Sequence, residues 1–141
     1  MALKMSSGTP AKFGLVSLLF LAPFALAKDI PVKLTGAQEV PAVSSAAAGT
    51  GTVSIGEDKS VKGSVTTTGI EGTAAHIHLG ATGKNGPPII ALVNSGDNHW
   101  SVPANSQLTD DQYKSFKNGE LYVNVHSAAH PGGEIRAQLQ P

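Results

Sequence analysis

The stretch Leu121 to Leu139, LYVNVHSAAHPGGEIRAQL, decides the fold. Leu121, Val123 and Val125 alternate with Tyr122, Asn124 and His126; further on, Ile135, Ala137 and Leu139 alternate with Glu134 and Arg136. Side chains of an extended strand project to opposite faces in turn. Each end of the stretch is therefore a strand with one apolar face. Ser127 to Gly133 joins them through Pro131-Gly132-Gly133, a turn signal. The whole predicts an antiparallel hairpin with one face on a core.

The same short runs recur upstream, with turn residues between them. Ile30 to Leu34 comes first. Thr50 to Ile55 meets Val61 to Thr67 across Gly56-Glu57-Asp58-Lys59, a hairpin turn. Thr73 to Leu79 follows, then a glycine-rich loop from Gly80 to Pro88, then Ile89 to Val93. Asn94 to Gln107 reads as polar and irregular, with His99 and Trp100 in a loop. One helix is expected. Thr109-Asp110-Asp111-Gln112 matches a capping box, and Asn118-Gly119 supplies the stop. Recurrent short strands with turns between them predict an all-β, antiparallel fold of seven or eight strands, a Greek-key-like sandwich or a barrel. No internal repeat or second domain is visible.

The N-terminus reads differently. Lys4 and Lys12 precede an apolar run from Phe13 to Leu26 that ends in Ala25-Leu26-Ala27. A positive region, an apolar stretch and a small-x-small site make a secretory signal peptide, residues 1–27. The run is shorter than the roughly 20 apolar residues of a membrane span, and Pro23 interrupts it. The expected product is an exported domain, Lys28 to Pro141, periplasmic or secreted, with no membrane span.

Charge and absences narrow the function. The chain has ten basic and ten acidic residues, and two of the basic ones lie in the leader. No basic cluster offers a footprint for nucleic acid. There is no cysteine, so disulfides, blue copper and iron–sulfur chemistry are excluded. Both methionines, Met1 and Met5, precede the cleavage site. A metal in this domain must be held by imidazole nitrogen with carboxylate or carbonyl oxygen, which points to copper(II) first and zinc second.

Four of the five histidines sit in two segments, AHIHLG (Ala75 to Gly80) and the closing hairpin. His76 and His78 share one strand face; His126 ends a second strand, and His130 lies on the loop after it. A single strand histidine is usually a surface residue or one satisfied by backbone. Two at i, i+2, with two more near another strand end, make the metal reading as good as that one. The expected ligands are His76, His78 and His126, with His130 as fourth ligand or gate. Tyr122, Asn124, Glu134 and Arg136 are the residues expected to orient them, with Glu134 or Asn124 accepting from an imidazole. His99 should stand apart.

Other motifs have plainer readings. Glu134 and Arg136 at i, i+2 are in most proteins a solvated ion pair worth less than about 1 kcal/mol; here they follow the His130 loop at once and can also serve to orient a histidine. Asp110 and Asp111 suit the first turn of a helix. Gly80 to Gly86, GATGKNG, lacks the spacing and the Ser or Thr of a phosphate loop. No serine sits in a nucleophile context.

These segments resemble the CHRD domain, named from chordin and found as a single domain in exported bacterial proteins. The matching pieces are QEVPAV (Gln38 to Val43), Gly49 and Gly51, AHIHLG, NGPPII (Asn85 to Ile90), GELYVNVH (Gly119 to His126) and HPGGEIRAQL (His130 to Leu139). Family members more often read Arg-Gly-Gln at Arg136-Ala137-Gln138 and Pro-Pro at Pro41-Ala42. The resemblance implies an immunoglobulin-like β-sandwich and no settled activity. The AHIH tetrad is also similar to the copper half of Cu,Zn superoxide dismutase, without that family's zinc loop or cysteine pair. Three functions follow as expectations: a copper-binding module, a structural or adhesion module without metal, and, third, a dismutase-like copper enzyme.

Overall fold

The structure is a computed structural model and describes residues 8–11, 14–19 and 26–141. Much of the expected leader lies outside these residues. Within them run β1 (Ala27–Thr35), a 3-10 turn (Gly36–Gln38), β2 (Ala48–Gly56), β3 (Val61–Thr68), β4 (Gly72–Leu79), β5 (Pro88–Ala91), β6 (Val93–Asn94), β7 (His99–Ser101), α1 (Asp110–Lys117), β8 (Leu121–Ser127) and β9 (Ile135–Leu139). The fold is all-β and antiparallel, with one helix. Nine strands are present among the described residues rather than seven or eight. Of the additional ones, β6 straddles the end of the expected Ile89 to Val93 run and β7 falls in the segment expected to be irregular.

The strand order is β5-β4-β8-β9-β1-β2-β3-β7-β6. β8 and β9 pair from Leu121↔Leu139 to Val125↔Ile135, as the closing hairpin predicts. β1 joins β9 through the single pair Thr35↔Arg136, whereas β1 and β2 pair over nine positions. The sheet thus bends at β9–β1 into two layers. Their apolar faces meet: β7 lies over β4 and β8, so that Trp100 and Val125 close on Gly72, and Ile135 of β9 reaches Gly49 of β2. Val53, Val65, Ile77, Val123, Val125, Ile135 and Leu139 are wholly enclosed there.

Trp100 corrects the loop expectation. It is buried on β7, which pairs with β3 through Val65↔Trp100. His99 is on the same strand, facing outward to Thr66 Oγ1 at 3.0 Å. α1 carries the predicted capping box: Thr109 Oγ1 accepts from the Gln112 N–H, and the Gln112 side chain accepts from the Thr109 N–H. Phe116 anchors the helix in the core.

The second face of β4, β8 and β9 is where the fold departs most from a solvated sheet. All seven residues of β8 are buried, Tyr122, Asn124 and His126 included. Two loops cover this face, Gly36 to Val43 and Gly80 to Pro87, and they are tied by Asn85 Nδ2 donating to Val40 O.

Candidate metal centre

The cross-strand register builds the site. Ala74 pairs with His126, His76 with Asn124 and His78 with Tyr122; on the far side of β8, Asn124 pairs with Arg136 and Tyr122 with Gln138. Directly paired residues share a face, so all these side chains stand on the polar side of β4, β8 and β9. The His126 ring leans along the strand toward the two histidines of β4. Ring centroids are 4.9 Å from His126 to His76, 5.8 Å from His126 to His78 and 5.4 Å between the β4 pair.

One nitrogen from each ring converges, all three lying within 4.8 Å of one another. His76 Nδ1 is 3.1 Å from His126 Nε2. With metal–nitrogen bonds of about 2.05 Å, that separation subtends roughly 98° at an ion. A spacing at the upper limit is longer than two such bonds, so a small ring rotation completes three-point contact.

Backbone carbonyls aim two of the rings. His78 Nδ1 lies 2.8 Å from Gly86 O, and His126 Nδ1 lies 2.9 Å from Pro131 O. A carbonyl oxygen only accepts, so each Nδ1 carries the proton and each Nε2 presents a lone pair. Gly86 is required for its anchor, because a Cβ there would fall 1.6 Å from Leu79 O. These carbonyls take the main part of the role expected of Glu134 or Asn124, with Asn124 acting on the His78 ring as well. Glu134 instead accepts from the Ser45 and Ser127 hydroxyls, and Asn124 Nδ2 donates to Glu39 Oε1.

The remaining nitrogen of His78 is the telling atom. His78 is 7% exposed, and its Nε2 is buried with no hydrogen-bond partner. A buried unpaired acceptor costs about 1–3 kcal/mol. Burial, with the neighbouring imidazoles, holds the pKa of both His76 and His78 below the ordinary histidine value; at His78 the Gly86 carbonyl and the Asn124 side chain work against that shift. At neutral pH these rings are uncharged, the form in which imidazole ligates a metal.

Tyr122 and Arg136 brace the cluster. The Tyr122 ring stacks on His78 at 4.7 Å and 6° between planes, and the Arg136 guanidinium sits 3.5 Å from the Tyr122 centroid. Tyr122 Oη accepts from the Gly86 N–H. Arg136 donates to the carbonyls of Lys84 and Ala81 and to Gln138 Oε1. Glu134 and Arg136 are both buried and form no ion pair with each other.

His130 stands outside the converging three. Its backbone carbonyl closes the turn by accepting from the Ser127 and Gly133 N–H groups, and its side chain lines a shallow cleft with Glu39 and Pro41. Sequence reasoning missed Glu39, a buried carboxyl whose pKa is pushed up by burial. Its place within the QEVPAV motif was the available signal.

The family model described as CHRD domain matches residues 30–139. The chain belongs to the CHRD family. The match runs from β1 to the end of β9 and so takes in the whole histidine cluster. No curated protein matches this chain. No solved structure matches it either, and the likeness of AHIH to Cu,Zn superoxide dismutase is not borne out.

Proposed function

We propose that this CHRD domain is an exported metal-binding module, with copper as its preferred ion and His76, His78 and His126 as ligands. The observation that carries the reading is the unpartnered, buried His78 Nε2, in a ring that is fixed through its other nitrogen by the Gly86 carbonyl and lies 5.4 and 5.8 Å, centroid to centroid, from the other two imidazoles. Imidazoles oriented by carbonyl acceptors are the usual arrangement of metal ligands. With nitrogen donors and no thiolate, divalent copper outcompetes zinc in the general order of affinities.

Export rests on the leader. Leu15, Val16, Leu18 and Leu19 are 72–95% exposed, which suits a segment that is removed. No helix among the described residues is long and apolar enough to cross a membrane. An exported domain that presents one histidine site suits buffering copper or passing it on.

Isothermal titration of the metal-free protein with copper(II) and with zinc tests this. One ion per chain is expected, bound more tightly as copper, with the tight phase lost in His78→Ala. Binding no stronger than that of exposed histidines, or unchanged in the variant, refutes the metal reading and leaves a structural or adhesion module.

A further inference from the structure

The three histidines are not held alike. His78 and His126 are buried, and each is fixed by a backbone carbonyl on its Nδ1. His76 is only partly buried, and its one side-chain hydrogen bond is the contact of its Nδ1 with His126 Nε2. That contact has a single consistent proton assignment in the neutral cluster. His126 already carries its proton on Nδ1, so Nε2 accepts and His76 Nδ1 donates.

We propose that His76 is the exchangeable ligand of the site, and that the metal-free site is closed by its Nδ1–H···Nε2 hydrogen bond to His126. This rests on the metal reading above and adds how the ion comes and goes. The proton on His76 stands between the two nitrogens that an ion must bridge. For Nδ1 to ligate, that proton moves to Nε2 of the same ring, and no proton is lost overall. The hydrogen bond between the rings is then replaced by two metal–nitrogen bonds. His78 and His126 keep their tautomers throughout, since their carbonyl partners remain.

The arrangement makes a hand-off site. Two ligands are rigid and pre-oriented, and the third can rotate away without unmaking any bond to the backbone. A chelating partner with an imidazole or other nitrogen donor takes the ion by replacing His76 first. Displacement from the buried side would instead require opening the loops that carry Gly86 and Pro131.

Long-range nitrogen–proton correlation spectra of the histidine rings report tautomers directly. In the metal-free protein above neutral pH, His76, His78 and His126 should all show Nδ1–H. On loading with zinc, a diamagnetic probe, His76 alone should convert to Nε2–H with Nδ1 metallated. His76→Ala should still take up one ion but surrender it to a small chelator at least tenfold faster. His78→Ala and His126→Ala should lose tight binding. A zinc-loaded protein in which His76 remains Nδ1–H, or a His76→Ala variant that releases no faster than wild type, overturns the exchange proposal and leaves the metal site standing. A protein that binds no zinc overturns both.

Discussion

Arg136 is 1% exposed and carries a full charge, and its environment explains how such burial is tolerated. Its planar fork meets the carbonyls of Lys84 and Ala81, and its flat face lies on Tyr122. It therefore fastens the Gly80 to Pro87 loop, which carries Gly86, and steadies the ring against which His78 stacks. Lysine cannot reproduce this, because an ammonium has neither the fork nor a plane to stack. Arg136→Lys should lower the unfolding free energy in urea by about 2–3 kcal/mol, the scale of a charged hydrogen bond lost in a buried setting, and should weaken metal binding through the loosened loop. A loss below about 0.5 kcal/mol, the level of an ordinary surface substitution, would show that the loop is held by other means. The i, i+2 spacing of Glu134 and Arg136 correctly put both on one face. It did not tell that they take different partners, because those partners include residues 45, 81 and 84, far away in the chain. Likewise the gathering of His76, His78 and His126 on one polar face was legible from strand alternation, while His130 belongs to a turn whose direction spacing does not fix.

At the scale of elements, local patterns were read well wherever the element makes its own case. The capping box of α1 is an example: both reciprocal bonds of Thr109 and Gln112 are present. Thr109→Ala removes one of them and should cost about 1 kcal/mol, measured as a shift of the denaturation midpoint with the slope unchanged. The helix should stay docked through Phe116, so an unchanged midpoint, or loss of the whole domain, would contradict this account. β7 made no case of its own. It is three residues long, His99–Ser101, and exists because Trp100 enters the core against Gly72 and Val125. The outer residues of β8 posed the reverse problem. Tyr122, Asn124 and His126 have the polarity of a solvated face, yet loops from distant positions cover them, and alternation within a strand carries no information about what covers it.

For the molecule as a whole, a covered polar face makes stability depend on pH in two opposing ways. His76 and His78 have folded pKa values below their ordinary 6.5, chiefly through burial. Below that value the unfolded chain binds more protons than the folded one, so stability falls as pH drops from about 6.5 toward the folded values. Glu39 acts oppositely: burial raises its pKa from 4.5, so the stability it contributes is present below that value and is lost as pH rises through the folded one. The wild-type profile of the metal-free protein should therefore be shallow between these limits. Glu39→Gln removes the opposing group, and in that variant the unfolding free energy should decline steadily as pH falls below about 6.5, whereas adding His76→Asn and His78→Asn should flatten it. Zinc or copper should move the decline to lower pH, since protons must then compete with the ion for the same nitrogens. A flat profile in Glu39→Gln would mean that the histidine face takes up protons as freely as an unfolded chain does, and that these rings are not held in the neutral form on which the proposed metal binding depends.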